Sequence, residues 1–286
     1  QGGKCVVCGN SQEAAEYFGF KCKKIQVAEN SEDFSDFLVD DSTIYDPDLN
    51  SLLEECSGED LIPLRDYLLK NCTNTLKFFH KYRSFPNKPH RYLGKIIEEL
   101  KLMGGNSIAN YLFRLGEGVC YKEIVSCVAE KIGVTGCFGS VESYELGILK
   151  KVFKDMYGGM SDNQKKELEK IIWQSSGKFQ ESVFKKSLGV LLTQAFAKGG
   201  GFATYKLSVI VANQVAKMVL GHGLRFAANA SITKTIGFLL GPIGWSITGL
   251  WTAIDIAGPA NRTIIPCVLH IAYLRQKMKF NATFGE

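Results

Sequence analysis

The sequence predicts a mainly all-α protein, a multi-helix bundle with an apolar central C-terminal helical hairpin and a small N-terminal α/β appendage. Three observations predict it. From Asp46 onward, apolar residues recur at three- and four-residue spacing with hardly any strand pattern. Capping signatures and glycines punctuate that pattern at helix-length intervals. The C-terminal third contains a long stretch without charge.

Residues 1–40 differ from the rest. Lys4 to Gly9 reads as a short buried strand, Ser11 to Phe18 as a helix, and Phe20 to Val27 as a second strand, a βαβ-like piece or a cysteine knuckle. Residues 28–42 are acidic and polar, as a linker would be. A short helical domain over 41–80 follows, and a helical bundle over 88–286 completes the expected organisation. Pro47 to Glu55 suits one short helix, and Ser57 to Asp60 reads as a capping signature for another, ending near Leu69. Pro86 and Pro89 mark the basic stretch Lys81–Arg91 as a connection.

Leu93, Ile96, Ile97, Leu100 and Met103 line one face of a helix over 91–103, which the pair Gly104-Gly105 is expected to stop. Asn106 would cap a helix carrying Ile108, Ala109, Leu112 and Phe113. Residues 119–132 repeat the pattern with Ile124, Cys127, Val128 and Ile132 and stop at Gly133. Tyr144, Ile148, Val152 and Met156 share a face over 140–157, and Ser161 with Gln164 forms a capping box for a helix through Trp173. Lys198 to Gly201 reads as a flexible hinge.

From Met218 to Ile254 the only charges are Arg225 and Lys234, and Thr235 to Ile254 is 20 residues without one. Gly237, Gly241, Gly244, Gly249 and Ala253 keep it slim, and Pro242 breaks it. The stretch is long enough for a membrane span. Three readings fit: a buried helix pair, a segment that enters a membrane conditionally, or an apolar surface that docks a partner. The first is favoured because Pro242 divides the stretch into pieces too short to span singly, and because helices apolar all round are usually buried. The second draws on glycine spacings that let helices pack closely. Its organisation is that of pore-forming bacteriocin domains.

Charge and cysteine usage narrow the classes. Net charge is +5, too weak for the dense basic stripe that nucleic acid demands, yet compatible with an anionic membrane surface. Nine cysteines, an odd and scattered set, read as buried free thiols in a reducing compartment. No secretory signal is visible, and the expected location is cytoplasmic, peripheral to the inner membrane.

Catalytic signatures are missing. The sequence has neither a phosphate-binding loop nor a glycine-rich dinucleotide fingerprint. Cys5 and Cys8 have the spacing of a zinc knuckle, but only Cys22 lies near and no histidine occurs before His80. No cofactor is therefore expected, with zinc at these cysteines the weak alternative. Of four histidines, His222 between two glycines is the most suggestive, although a packed histidine in a helix-ending turn explains it better. His270 fits a hydrogen-bonded core residue. Asp255 ends the uncharged stretch and is expected to pair with Arg262. His222, Asp255 and Arg262 make up the candidate polar site. Glu98 and Glu99 read as a solvated face.

Several segments resemble the YaaW-type family of uncharacterised bacterial proteins over about residues 46–279. They are Asp46 to Leu69, Met103 to Asn110, Leu220 to Leu224, Gly241 to Trp245, and Gly258 to Pro266. The resemblance supplies no catalytic residues. Members often carry a label relating them to a ubiquinol–cytochrome c chaperone.

The functional expectation is a non-enzymatic binding protein that engages a membrane or protein partner through Ile236, Phe238, Leu239, Leu240, Gly241, Pro242, Ile243, Gly244, Trp245 and Trp251. The alternatives are a pore-forming protein that inserts its hairpin on a trigger, and an assembly chaperone.

Overall fold

Helix α1 (Pro47–Glu54) starts where the sequence places it, because Asp46 accepts the Leu49 amide at 3.2 Å and Pro47 presets the first turn. In this computed structural model the described residues are 45–70, 75–107, 119–136, 139–166, 168, 201–225 and 260–284. All belong to one unit, Asp41–Glu286. The readings for residues 1–40, the helix from Ile108, the run through Trp173 beyond 168, and the apolar stretch 235–254 lie outside them.

Helix α2 (Gly58–Leu69) carries the expected capping box, with Asp60 in the reciprocal position. A 3₁₀ turn (Leu76–Phe78), helix α3 (His80–Ser84) and a second 3₁₀ turn (Pro89–Tyr92) form a knuckle where a plain connection is expected. Tyr82 and Tyr92 lock it edge to face, with ring centroids 5.7 Å apart.

Helix α4 (Leu93–Ser107) buries Leu93, Ile96, Ile97, Leu100 and Met103, the expected stripe. It does not stop at Gly104-Gly105. A Cβ on Gly104 would lie 2.6 Å from two Ile124 carbons, so this glycine serves a close helix crossing. Asn106 therefore lies within α4.

Helix α5 (Tyr121–Lys131) ends at Gly133, whose φ of 74° is left-handed. Helix α6 (Val141–Gly158) is capped by Ser140 and buries Ile148, Leu149, Val152, Phe153 and Met156. Ser161 and Gln164 exchange the bonds of a capping box ahead of helical residues 162–166.

Two long helices centre the core. Helix α7 (Phe202–Leu220) is buried without a break from Leu207 to Ala216. Helix α8 (Asn261–Phe284) is buried from Thr263 to Leu274 and touches α2, α4, α5, α6 and α7. The α7–α8 pairing is the most extensive helix contact among the described residues. Phe202 and Tyr205 stack on Phe280, with centroids 5.3 and 4.8 Å apart, and Tyr205 stacks on Tyr273 at 6.3 Å. Moving forward along α7 moves backward along α8, so the two run antiparallel. The C-terminus of α7 and the N-terminus of α8 therefore lie at the same end of the pair. Among the described residues there is no strand, and no helix is long and apolar enough to cross a membrane.

Candidate functional site

The richest polar cluster joins α1, α5, α6 and α8. Asp46 accepts from two helix starts, the Leu49 amide of α1 through Oδ1 and the Tyr121 amide of α5 at 2.7 Å through Oδ2. One carboxylate thus satisfies an orphan donor on each helix. Glu145 of α6 is 0% exposed. It accepts the Tyr121 hydroxyl at 2.9 Å and Arg275 Nε at 2.6 Å. Arg275 also donates to both oxygens of the half-exposed Asp48, at 2.6 and 3.2 Å. Two carboxylates therefore share one guanidinium, whose planar fork suits that bidentate geometry.

Burial pushes the Glu145 carboxyl up to about 7, against the opposing pull of Arg275 and the Tyr121 hydrogen bond. Burial and the neighbouring Glu145 push the Tyr121 phenol well above its ordinary range. Arg275 stays charged, because Glu145 and Asp48 outweigh its desolvation. The outer edge of the cluster opens on a cleft of about 490 Å³ lined by Asp48, Leu52, Glu55, Arg275 and Lys279, among others. Glu145 and Tyr121 sit behind it, closed to solvent. The arrangement clamps four helices together, with Asp48 and Arg275 its members that line the cleft.

A second clamp holds α2 to α8. Lys277 donates to both oxygens of Asp60, at 2.7 and 2.8 Å. His270 Nε2 donates to the Asp60 carbonyl at 2.7 Å. Burial would raise the Asp60 pKa, but the Lys277 and Ser57 hydrogen bonds bring it below the ordinary 3.8. His270 is the hydrogen-bonded core residue the sequence leads one to expect, held neutral by burial with its pKa pushed down to about 4. Its Nδ1, the Tyr67 hydroxyl and the Gln276 amide are buried without a hydrogen-bond partner among the described residues. A third buried acid corrects the sequence reading. Glu99 is 3% exposed, not solvated, and accepts the Thr75 amide at 3.0 Å while pairing with Lys95.

The candidate polar site is only partly placed. Gly221 ends α7 with φ 83°, and His222 follows it in an exposed turn, with Nδ1 3.1 Å from the Gly223 carbonyl. The turn is the expected one, but the histidine is not packed. Asn213 pins the turn by accepting the Leu224 amide at 3.0 Å. Arg262 is exposed on the first turn of α8. Helix pairing puts His222 and Arg262 toward the same end of the α7–α8 pair, while Asp255 lies outside the described residues. So do Ile236, Phe238, Leu239, Leu240, Gly241, Pro242, Ile243, Gly244, Trp245, Trp251, Cys5, Cys8 and Cys22. Among the described residues no group of three or more His, Cys, Asp or Glu could hold a metal. Cys56 and Cys267 are buried free thiols as expected, Cys127 is half-buried, and Cys120 is exposed.

Sequence reading missed Glu145, Arg275 and the Asp60–Lys277 pair. A signal existed for Glu145. It lies three and four residues before Ile148 and Leu149, in phase with the buried stripe of α6.

These features define a class: an all-helical bundle clamped by buried ion pairs around an antiparallel central pair. The chain is 38% identical over 240 residues to a UPF0174 protein of Helicobacter pylori strain J99, covering 82% of this chain and 92% of that protein. It is 36% identical over 215 residues to a UPF0174 protein of H. pylori strain 26695, covering 74% and 97%. The match to the UPF0174 protein YaaW of Escherichia coli K12 is 26% identical over 243 residues, covering 82% and 95%. The chain belongs to the UPF0174 family, which includes YaaW. No family model matches it, and no solved structure matches it significantly.

Proposed function

We propose that the protein is a non-enzymatic binding protein that engages a membrane or a protein partner through the apolar segment 235–254. One observation carries the reading: 20 residues without charge are flanked by two helices whose facing ends lie together. The chain thus leaves α7 and enters α8 at the same end of the helix pair. The buried polar groups support the same reading, because they spend their hydrogen bonds on holding helices.

Ile243→Asp and Gly244→Arg put a charge into this segment. Each is expected to abolish vesicle or partner association, measured by co-flotation and by crosslinking in cells, with helical circular dichroism retained. Normal association by both folded variants refutes the proposal.

A further inference from the structure

Outside the central clamps, one surface combines unpaired positive charge with exposed apolar rings. It is the knuckle formed by the two 3₁₀ turns and α3. From Thr75 to Ile97 the sequence contains no Asp or Glu. The knuckle itself carries Lys77, Lys81, Arg83, Lys88 and Arg91, a positive charge equal to the whole chain's net +5. The rest of the chain is therefore balanced, and the surplus sits here.

Acids on adjoining elements do not neutralise it. Asp66 is held by Arg65, and Glu98 and Glu99 are held by Lys95. Lys77, Arg83 and Lys88 have no carboxylate partner among the described residues. Exposed large hydrophobic residues gather on the same knuckle. Phe78 is 78% exposed and Phe85 37%. Neither ring is needed for the core, whose contribution from this segment comes from Leu76, Pro89 and Tyr92, with Phe79 and Tyr82 packed against it.

We infer that the 77–91 knuckle docks on an anionic lipid bilayer. Basic side chains would meet the headgroups, and Phe78 and Phe85 would enter the interface. Aromatic rings between basic residues also suit a single-stranded nucleic acid, where bases stack on ring faces. Arg91 already lies over the Phe85 ring at 4.1 Å, so a face that stacking requires is occupied. The ring can still insert edge first. This inference rests on the membrane arm of the proposed function and gives that arm a second contact, distinct in sequence from 235–254.

The test is flotation of the full chain with vesicles of phosphatidylcholine alone, or of equal parts phosphatidylcholine and phosphatidylglycerol. The wild type is expected to bind the anionic vesicles more tightly and to release as salt rises. Lys77→Gln with Arg83→Gln removes two headgroup contacts and should weaken anionic binding about twenty-five-fold, roughly fivefold per charge. Phe78→Ser should weaken it about tenfold while leaving the salt dependence intact. These side chains are exposed, so the variants keep the wild-type fold, which circular dichroism verifies.

Wild-type flotation by both variants overturns the inference. So does loss of oligouridine binding in the same variants without loss of flotation, which would assign the surface to nucleic acid. Ile243→Asp run alongside separates the two proposals. If it floats normally while Lys77→Gln/Arg83→Gln does not, the knuckle stands and the 235–254 reading falls.

Discussion

Arg275→Met is the sharpest probe of what holds this fold. Glu145 is closed to solvent and receives three hydrogen bonds, two from Arg275 and one from Tyr121. Methionine fills much of the arginine stem's volume but removes the cation that touches Glu145. An unpaired buried carboxylate costs about 3–5 kcal/mol once it is ionised, which here means above neutral pH. In a chain of this size that lowers the thermal midpoint by about 6–20 °C. The loss should also depend on pH. Glu145 already titrates near 7 in the folded protein, above its ordinary 4.5, because burial outweighs Arg275. The folded state thus holds this proton more tightly than the unfolded state. Stability from that proton is complete below about 4.5 and is lost as pH rises through about 7. Without Arg275 the carboxyl moves higher still, and in mild acid it is neutral and needs no partner. Urea unfolding followed by circular dichroism should show a deficit that is smallest and nearly constant in mild acid and grows as pH rises above about 7, where the wild-type carboxyl ionises beside Arg275. A deficit below about 1 kcal/mol above neutral pH, or one independent of pH, refutes the clamp.

Two further perturbations address other joints. Gly104→Ala should destabilise by about 1–3 kcal/mol in thermal unfolding, because the new Cβ meets Ile124 at 2.6 Å; a neutral result would mean that α4 and α5 separate freely. Asp60→Asn removes an acid whose folded pKa lies below its ordinary 3.8, so its stabilisation is present above that value and fades as pH falls further. The wild type should therefore lose stability more steeply in that acid range than the variant, and parallel acid-unfolding curves would contradict the Asp60–Lys277 clamp.

Much of the bundle was legible because its signals are local. The Ser57–Asp60 box, the Ser161–Gln164 box and the stripe from Leu93 to Met103 each lie within a few turns. The misreading at Gly104-Gly105 has a physical source. Glycine suits a helix end and a close helix crossing equally, and only the position of Ile124 decides between them. Glu99 was misread because a charged residue within an exposed-looking pair suggests solvent, while its partner Thr75 lies 24 residues away. The central clamp was harder still. Arg275 and Glu145 are 130 positions apart, and neither carries a local motif. The His222 turn was readable from its glycines, but whether the ring packs depends on neighbours that spacing does not reveal.

The claim that 235–254 is the contact surface can be tested with its own tryptophans. The chain has three, Trp173, Trp245 and Trp251. In a Trp173→Phe protein the remaining two report on the segment alone. With anionic vesicles that carry brominated acyl chains, or with a crosslinked partner, the account predicts a blue-shifted emission, quenched in the vesicle case. Unchanged emission from protein that has demonstrably bound its vesicles or partner would contradict it, and would place the contact elsewhere on the molecule.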